Sequence, residues 1–211
     1  MGKKQIAFTF DDGPTPGITE QVLDLFEEAG GRASFFLIGQ QITPETEYLI
    51  RREVAMGCSV ENHSFTHQDM TKLSRETIAD EIAKTSALIR KTAGEDPQFF
   101  RPPYILVDEK MYETIDFPFI CGRGCQDWEP EVSAEERARM IMEAAEDGAI
   151  ILVHDMKDNE NTIEALKTVL PKLKEQGFEF VNIRELYANA GVKPMRHMLY
   201  SSVYDPIDGE Q

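Results

Sequence analysis

The chain has 211 residues, 41% apolar and 28% charged, the proportions of an ordinary globular domain with room for a sizeable core. Its formal charge of −16 argues against nucleic acid and against an anionic membrane surface, both of which reward clustered Lys and Arg, and it suits a neutral substrate. No run approaches the roughly 20 apolar residues that a membrane-spanning helix needs.

In chain order, residues 5–10 read as a strand, ended by the tight turn Asp11-Asp12-Gly13-Pro14. Polar residues arrive too early for an apolar leader, so the expectation is a cytoplasmic protein, or an extracellular or cell-surface one whose leader has been removed. A helix at 19–29, closed by Gly30-Gly31, leads to a strand at 33–38 and a helix at 45–56 closed by Gly57. A strand at 58–61 runs toward His63. The helix at 75–93 follows, with Ile78, Ile82, Ala83, Leu88 and Ile89 forming one apolar stripe. Next come a strand at 99–101, a helix at 109–115, a strand at 117–121, and a helix at 134–147 behind a Ser133–Glu136 capping box. A strand at 149–153 runs into His154. Pro171 is expected to kink or split the helix at 162–176, before a last strand at 179–182 and a helix at 183–190. These elements make residues 1–193 the main unit. The tail, 194–211, lacks periodicity and reads as a wrapping arm or a loose end. Cys58, Cys121 and Cys125 are too few for a disulfide framework and read as small packed residues.

Alternation of strand and helix implies a mostly parallel sheet with helices outside it, wound open or closed as a barrel. Such folds gather their chemistry at the carboxyl ends of the strands. The chemically unusual residues fall there: Asp11-Asp12, His63, Arg101, Asp127 and His154 each end or follow a predicted strand.

Each cluster has a bland reading and a sharper one. Asp-Asp-Gly-Pro alone is a turn; beside a cation, one carboxylate can ligate while its neighbour faces a water. His63 and His67, four residues apart, are read as lying on one face of a helical turn, where they can share a divalent ion. With a carboxylate they make a set suited to zinc or a neighbouring transition metal. Arg101-Pro102-Pro103-Tyr104 is a rigid loop whose guanidinium can clamp a carboxylate or form a surface ion pair. Asp127 can hold an imidazole, and Trp128 can wall a sugar site or pack in the core. His154 is either a general acid or a satisfied structural histidine.

Taken together, Thr9-Phe10-Asp11-Asp12-Gly13-Pro14, His63-Ser64-Phe65-Thr66-His67, Arg101-Pro102-Pro103-Tyr104, Asp127-Trp128 and Leu152-Val153-His154 resemble the polysaccharide deacetylase family (the NodB homology domain, carbohydrate esterase family 4). The likeness runs from about Ile6 to Leu186 with the motifs in family order. It implies an α/β fold, a distorted (β/α)7 barrel in one domain, and hydrolysis of N- or O-linked acetyl groups on a carbohydrate polymer such as acetylxylan, chitin-type polymer or peptidoglycan. By resemblance, Asp12, His63 and His67 hold one divalent metal, zinc foremost, with cobalt or nickel as substitutes. Asp11 is the base, oriented by Arg101, and His154 the acid, tuned by Asp127. The backbone N–H of Tyr104 serves the oxyanion, and Pro103, Tyr104, Trp128 and Leu152 line the substrate site. The implied protein is a monomer or weak oligomer whose partner is an acetylated polysaccharide. Many members carry Gly after the Tyr of the third motif; Ile105 stands there, and the segment 99–104 looks more like the acetylxylan esterases. A non-catalytic carbohydrate-binding relative is the alternative. A two-metal phosphoesterase is disfavoured by the lack of further ligands.

Overall fold

The computed structural model describes residues 4–207, and its centre is β1 (Lys4–Asp11), buried from Ile6 onward as a strand flanked on both edges must be. One edge pairs in parallel with β2 (Ser34–Leu37), the other with β6 (Ile150–His154). The sheet extends outward to β3 (Ser59–Asn62) and β5 (Arg123–Gly124), in the order β3-β2-β1-β6-β5. Single-residue bridges carry it from Asn62 through Phe100 to Phe119 in β4 (Phe119–Ile120), which pairs with β8 (Leu199–Tyr200). The seventh strand, β7 (Phe178–Phe180), meets only the start of β1, at Lys4–Ile6. Outside lie α1 (Thr19–Ala29), α2 (Glu47–Ala55), α3 (Arg75–Ala93), α4 (Glu109–Thr114), α5 (Ala134–Ala144), α6 (Glu160–Glu175) and α7 (Ile183–Ala190). This is the expected distorted (β/α)7 barrel, its distortion arising from short strands and from β7's partial pairing. Among the described residues, no helix is long and apolar enough to cross a membrane.

Register then places the chemistry. Asp11 aligns with Phe36 on one side and His154 on the other, so the ends of β1 and β6 lie side by side. Asn62, aligned with Leu37, brings His63 to the same rim, and the Asn62–Phe100 bridge brings Arg101 beside it.

Several elements differ from expectation for identifiable reasons. The strand expected at 99–101 shrinks to one bridging residue, because the N–H groups of Gln98 and Phe99 donate to the Glu61 carboxylate (2.7 and 3.0 Å) and prolines follow. The last strand ends early because Asn182 is instead the N-cap of α7, completing a capping box with Glu185. Ser133 supplies its expected cap to α5 by accepting from the Glu136 N–H at 3.2 Å. Pro171 does not split α6: the buried face formed by Leu166, Val169, Leu170 and Leu173 holds the helix through it. The tail does wrap, its β8 pairing with β4 and β9 (Pro206–Ile207) pairing back on β8. The last four residues of that expected tail, 208–211, lie outside the described residues, as do 1–3.

The main core sits between β1 and α1, where Phe26 meets Phe8, Phe10 and Phe180 edge-on at 5.7, 5.8 and 5.9 Å between ring centroids. Replacing it leaves a void ringed by three aromatics that cannot collapse inward. Phe26→Ala is expected to lower unfolding free energy by about 3–5 kcal/mol in urea titrations.

Candidate active site

Asp11 ends β1, and Asp12 takes a left-handed backbone (φ 71°) that turns the chain out of the strand, so that both carboxylates approach His63 Nε2, at 3.6 and 3.5 Å. Asp11 is held by the fully buried Arg101: Nη1 donates to Asp11 Oδ1 (2.5 Å) and Nη2 to Thr9 Oγ1 (2.7 Å), over the Phe36 ring at 4.3 Å. The neighbouring turn needs glycine, since a Cβ on Gly13 would lie 2.4 Å from Asp155 Oδ2.

Asp12 Oδ1 lies 3.5 Å from His63 Nε2 and 3.4 Å from His67 Nε2, and the three donor atoms all fall within 4.8 Å of one another. Donors arranged tetrahedrally at 2.0–2.1 Å from a zinc-like ion stand about 3.4 Å apart. The set therefore fits one divalent cation. Two further observations agree. Asp12 Oδ1 is buried with no hydrogen-bond partner. His63 Nδ1 donates to the Arg101 carbonyl at 2.7 Å, which fixes the tautomer that leaves Nε2 free to ligate.

The segment from His63 to His67 is a loop, not the expected helical turn. Ser64 and His67 are left-handed (φ 65° and 56°), and the two rings converge to 4.8 Å through that loop geometry. What fixes the loop is Glu81, which sequence reasoning missed. From α3, its Oε2 accepts from the N–H groups of Phe65 (2.9 Å) and Thr66 (2.8 Å) and from the Thr66 hydroxyl (3.0 Å). Ser64 Oγ adds a bond from the His67 N–H at 3.0 Å. A signal existed, because an acidic residue on the buried stripe of Ile78, Ile82 and Ile89 demands a polar partner.

Across the rim, His154 Nδ1 donates to Asp127 Oδ1 (2.8 Å), and the His154 N–H donates to Oδ2 (2.7 Å). Burial opposes the imidazolium, but the bond to Asp127 and the charges of Asp127, Asp11 and Asp12 outweigh it, pushing the His154 pKa up to about 9. For Asp12, burial opposes charge too, yet His63 and His67 together hold it down to about 2. Burial dominates at Asp155, behind the rim, and raises it to about 7 against the Thr19 hydroxyl bond.

A cavity of about 360 Å³ joins these groups, lined by Asp11, Asp12, His63, His67 and His154 on its polar side and by Pro102, Tyr104, Ile105, Trp128 and Leu152 on the other. Pro102 lines it, whereas Pro103, expected at the substrate, is buried and lies outside the lining. Trp128 stands edge-on to His154 at 5.7 Å and half exposed, so it walls the cavity mouth rather than the core. Tyr104 and Ile105 are both left-handed (φ 58° and 57°), a conformation costing about 1–3 kcal/mol each, and Ile105 is a residue type that rarely adopts it. The three cysteines are free and outside the ligand cluster.

If Glu81 holds the imidazole loop in its ligating shape, Glu81→Ala should weaken binding of a divalent metal about 10–100-fold in chelator-competition titrations.

Known proteins share this chain's sequence pattern and fold. The model of the family described as polysaccharide deacetylase matches residues 1–116. A bifunctional xylanase/deacetylase of Pseudobutyrivibrio xylanivorans is 45% identical over 204 residues, covering 96% of this chain and 34% of that protein. The Xyl-CE4 domain of a multidomain xylanase from the hindgut metagenome of Trinervitermes trinervoides superposes with a TM-score of 0.94 at 44% identity, covering 96% of this chain and 98% of that one. A family 4 acetyl xylan esterase from Clostridium thermocellum, in complex with a cobalt ion, gives 0.92 at 38% identity, covering 96% and 100%. The chain spans only 34% to 39% of the length of the first curated relatives it matches. From the matched span, the similarity along nearly the whole chain and the shared fold, this chain belongs to the polysaccharide deacetylase family.

Proposed function

We propose that this chain is a metal-dependent hydrolase that removes acetyl groups from a carbohydrate polymer, with O-acetylated xylan favoured over N-acetylglucosamine polymers. The observation that carries the reading is the meeting, on one cavity, of a three-donor cation site, a carboxylate clamped by arginine and an imidazole clamped by aspartate. The xylan preference draws on the names of the relatives, a xylanase/deacetylase and an acetyl xylan esterase.

Asp12, His63 and His67 would hold the cation, zinc foremost, with cobalt or nickel able to take two imidazoles and a carboxylate. When bound there, a divalent ion lowers the pKa of a water toward about 7 and polarises a carbonyl. Asp11 takes the proton from the attacking water; Arg101 keeps its carboxylate aimed. The backbone N–H of Tyr104, turned by its left-handed conformation, stabilises the developing oxyanion. His154 gives its proton to the leaving alkoxide or amine, and Asp127 keeps the imidazole charged for that purpose. Leu152 and Trp128 offer apolar surface to the acetyl methyl and the sugar face, respectively.

The decisive experiment is an acetate-release panel, covering acetylxylan, N-acetylglucosamine oligomers and peptidoglycan, on metal-depleted protein reconstituted with each ion. Release is expected only with metal, fastest on acetylxylan, and undiminished turnover after verified metal removal would refute the mechanism. Asp11→Asn should keep the metal and lose about 10²-fold or more in kcat.

The acid has a pH signature. A raised pKa means His154 carries its proton at neutral pH and loses it as pH climbs through about 9; a nearby cation, being a like charge, lowers that point. The alkaline limb of kcat/KM is therefore expected at or below pH 9. Asp127→Asn removes the largest contribution opposing burial and should move that limb to lower pH.

A further inference from the structure

Arg137 lies outside the cavity on the inner face of α5, almost fully buried, and among the described residues it forms no ion pair. Its hydrogen bonds go to neutral acceptors: Nε to the Val132 carbonyl (3.0 Å), Nη2 to the Glu129 carbonyl (3.0 Å), and Nη1 to Asn159 Oδ1 (2.5 Å) and Thr162 Oγ1 (2.9 Å). A guanidinium taken out of water with only neutral partners is expensive, and it can only donate.

That one-way character has a consequence for its neighbours. Because Thr162 Oγ1 accepts from Arg137, its own hydrogen is directed elsewhere, and it lies 3.1 Å from Asp127 Oδ2. Because Asn159 Oδ1 accepts from Arg137, its Nδ2 must face the other way, toward Asp127 Oδ2 (3.3 Å) and the His154 carbonyl (2.8 Å). Both intermediaries are thus locked as donors to the carboxylate that holds the His154 imidazole. Remove the guanidinium, and the hydroxyl can rotate and the amide can turn over, leaving a buried carboxylate short of donors.

We infer that Arg137 is a positioning residue for the His154 acid, acting through Asn159 and Thr162 to fix the orientation of Asp127. The inference rests on the proposed deacetylase reading, in which His154 protonates the leaving group.

The test exploits leaving groups. An acetylated sugar oligomer expels a poor leaving group that needs the proton, whereas 4-nitrophenyl acetate expels a phenolate that does not. On the metal-loaded protein, the ratio of kcat/KM for the oligomer to that for the aryl ester cancels any change in folded fraction. Arg137→Met should lower this ratio about tenfold, a fraction of the 10²–10⁴ that acid catalysis supplies, and Thr162→Val should lower it in the same direction. Combining the two should give less than the product of the single effects. Equal losses on both substrates, leaving the ratio within about twofold, would reduce Arg137 to a structural clamp of the 129–132 loop and overturn the inference. Should Arg137→Met fail to fold, Thr162→Val decides by the same criterion. His154→Ala separates the two levels: if it leaves the ratio unchanged, the acid assignment itself falls, whereas a collapse there with no effect at Arg137 or Thr162 defeats only the relay.

Discussion

The buried pair of Arg101 with Asp11 is the constraint on which the rest of the rim depends. Removing one partner from such a pair strands the other charge and costs about 3–5 kcal/mol, so neither can be lost quietly. The same residue ties together elements far apart in sequence: its guanidinium reaches Asp11 and Thr9 on β1 and the Ile120 carbonyl of β4, and its backbone carbonyl accepts from the His63 ring. One residue thereby aims the proposed base, braces the imidazole of the proposed metal site and spans the barrel interior. Phe36, stacked under it, excludes the water that would otherwise weaken these bonds.

The opposite side of the cavity is organised on the reverse polarity. There a carboxylate, Asp127, is the anchor and an imidazole the working group, with neutral donors and the Arg137 charge behind it. The proposed base and the proposed acid are thus held by fixed partners of opposite sign, an arrangement that suits a reaction with one proton removed and one delivered.

The rim itself was legible because apolar runs stop abruptly at charged or imidazole residues. Asp11, His63, Arg101 and His154 each end or follow a buried strand or bridge, and parallel pairing aligns those ends. Partners arriving from helices were not legible. Glu81 and Arg137 sit on the inward faces of α3 and α5, where a charge should have raised suspicion, but no spacing rule says which loop each will meet. The strand expected at 99–101 failed for a related reason, since a carboxylate 38 residues before Phe99, Glu61, took N–H groups that a ladder needed. β5 was missed because Gly122-Arg123-Gly124 carries no β-branched pattern and its pairing is imposed by β6. The His63–His67 spacing predicted the right meeting of rings for the wrong backbone. A loop with two left-handed residues converges them as well as a helical turn does, but only because Glu81 and Ser64 hold it there.

The buried carboxylates of the rim differ in the donors that surround them. Asp11 has Arg101, and Asp127 has an imidazole, a backbone N–H, a hydroxyl and an amide. Asp155 has the Thr19 hydroxyl, and burial drives it toward its neutral form, with a pKa of about 7. Burial opposes charge on Asp12, but the neighbouring imidazoles hold it down to about 2, and its Oδ1 has no hydrogen bond, only two imidazole nitrogens at ligand-to-ligand spacing. A buried carboxylate oxygen with no hydrogen bond, set between two imidazole nitrogens in a chain already at −16, is a place that favours a shared cation. The same carboxylate position that is poorly solvated without a cation is the one open to the cavity, so the fold places its unmet electrostatic demand where substrate enters.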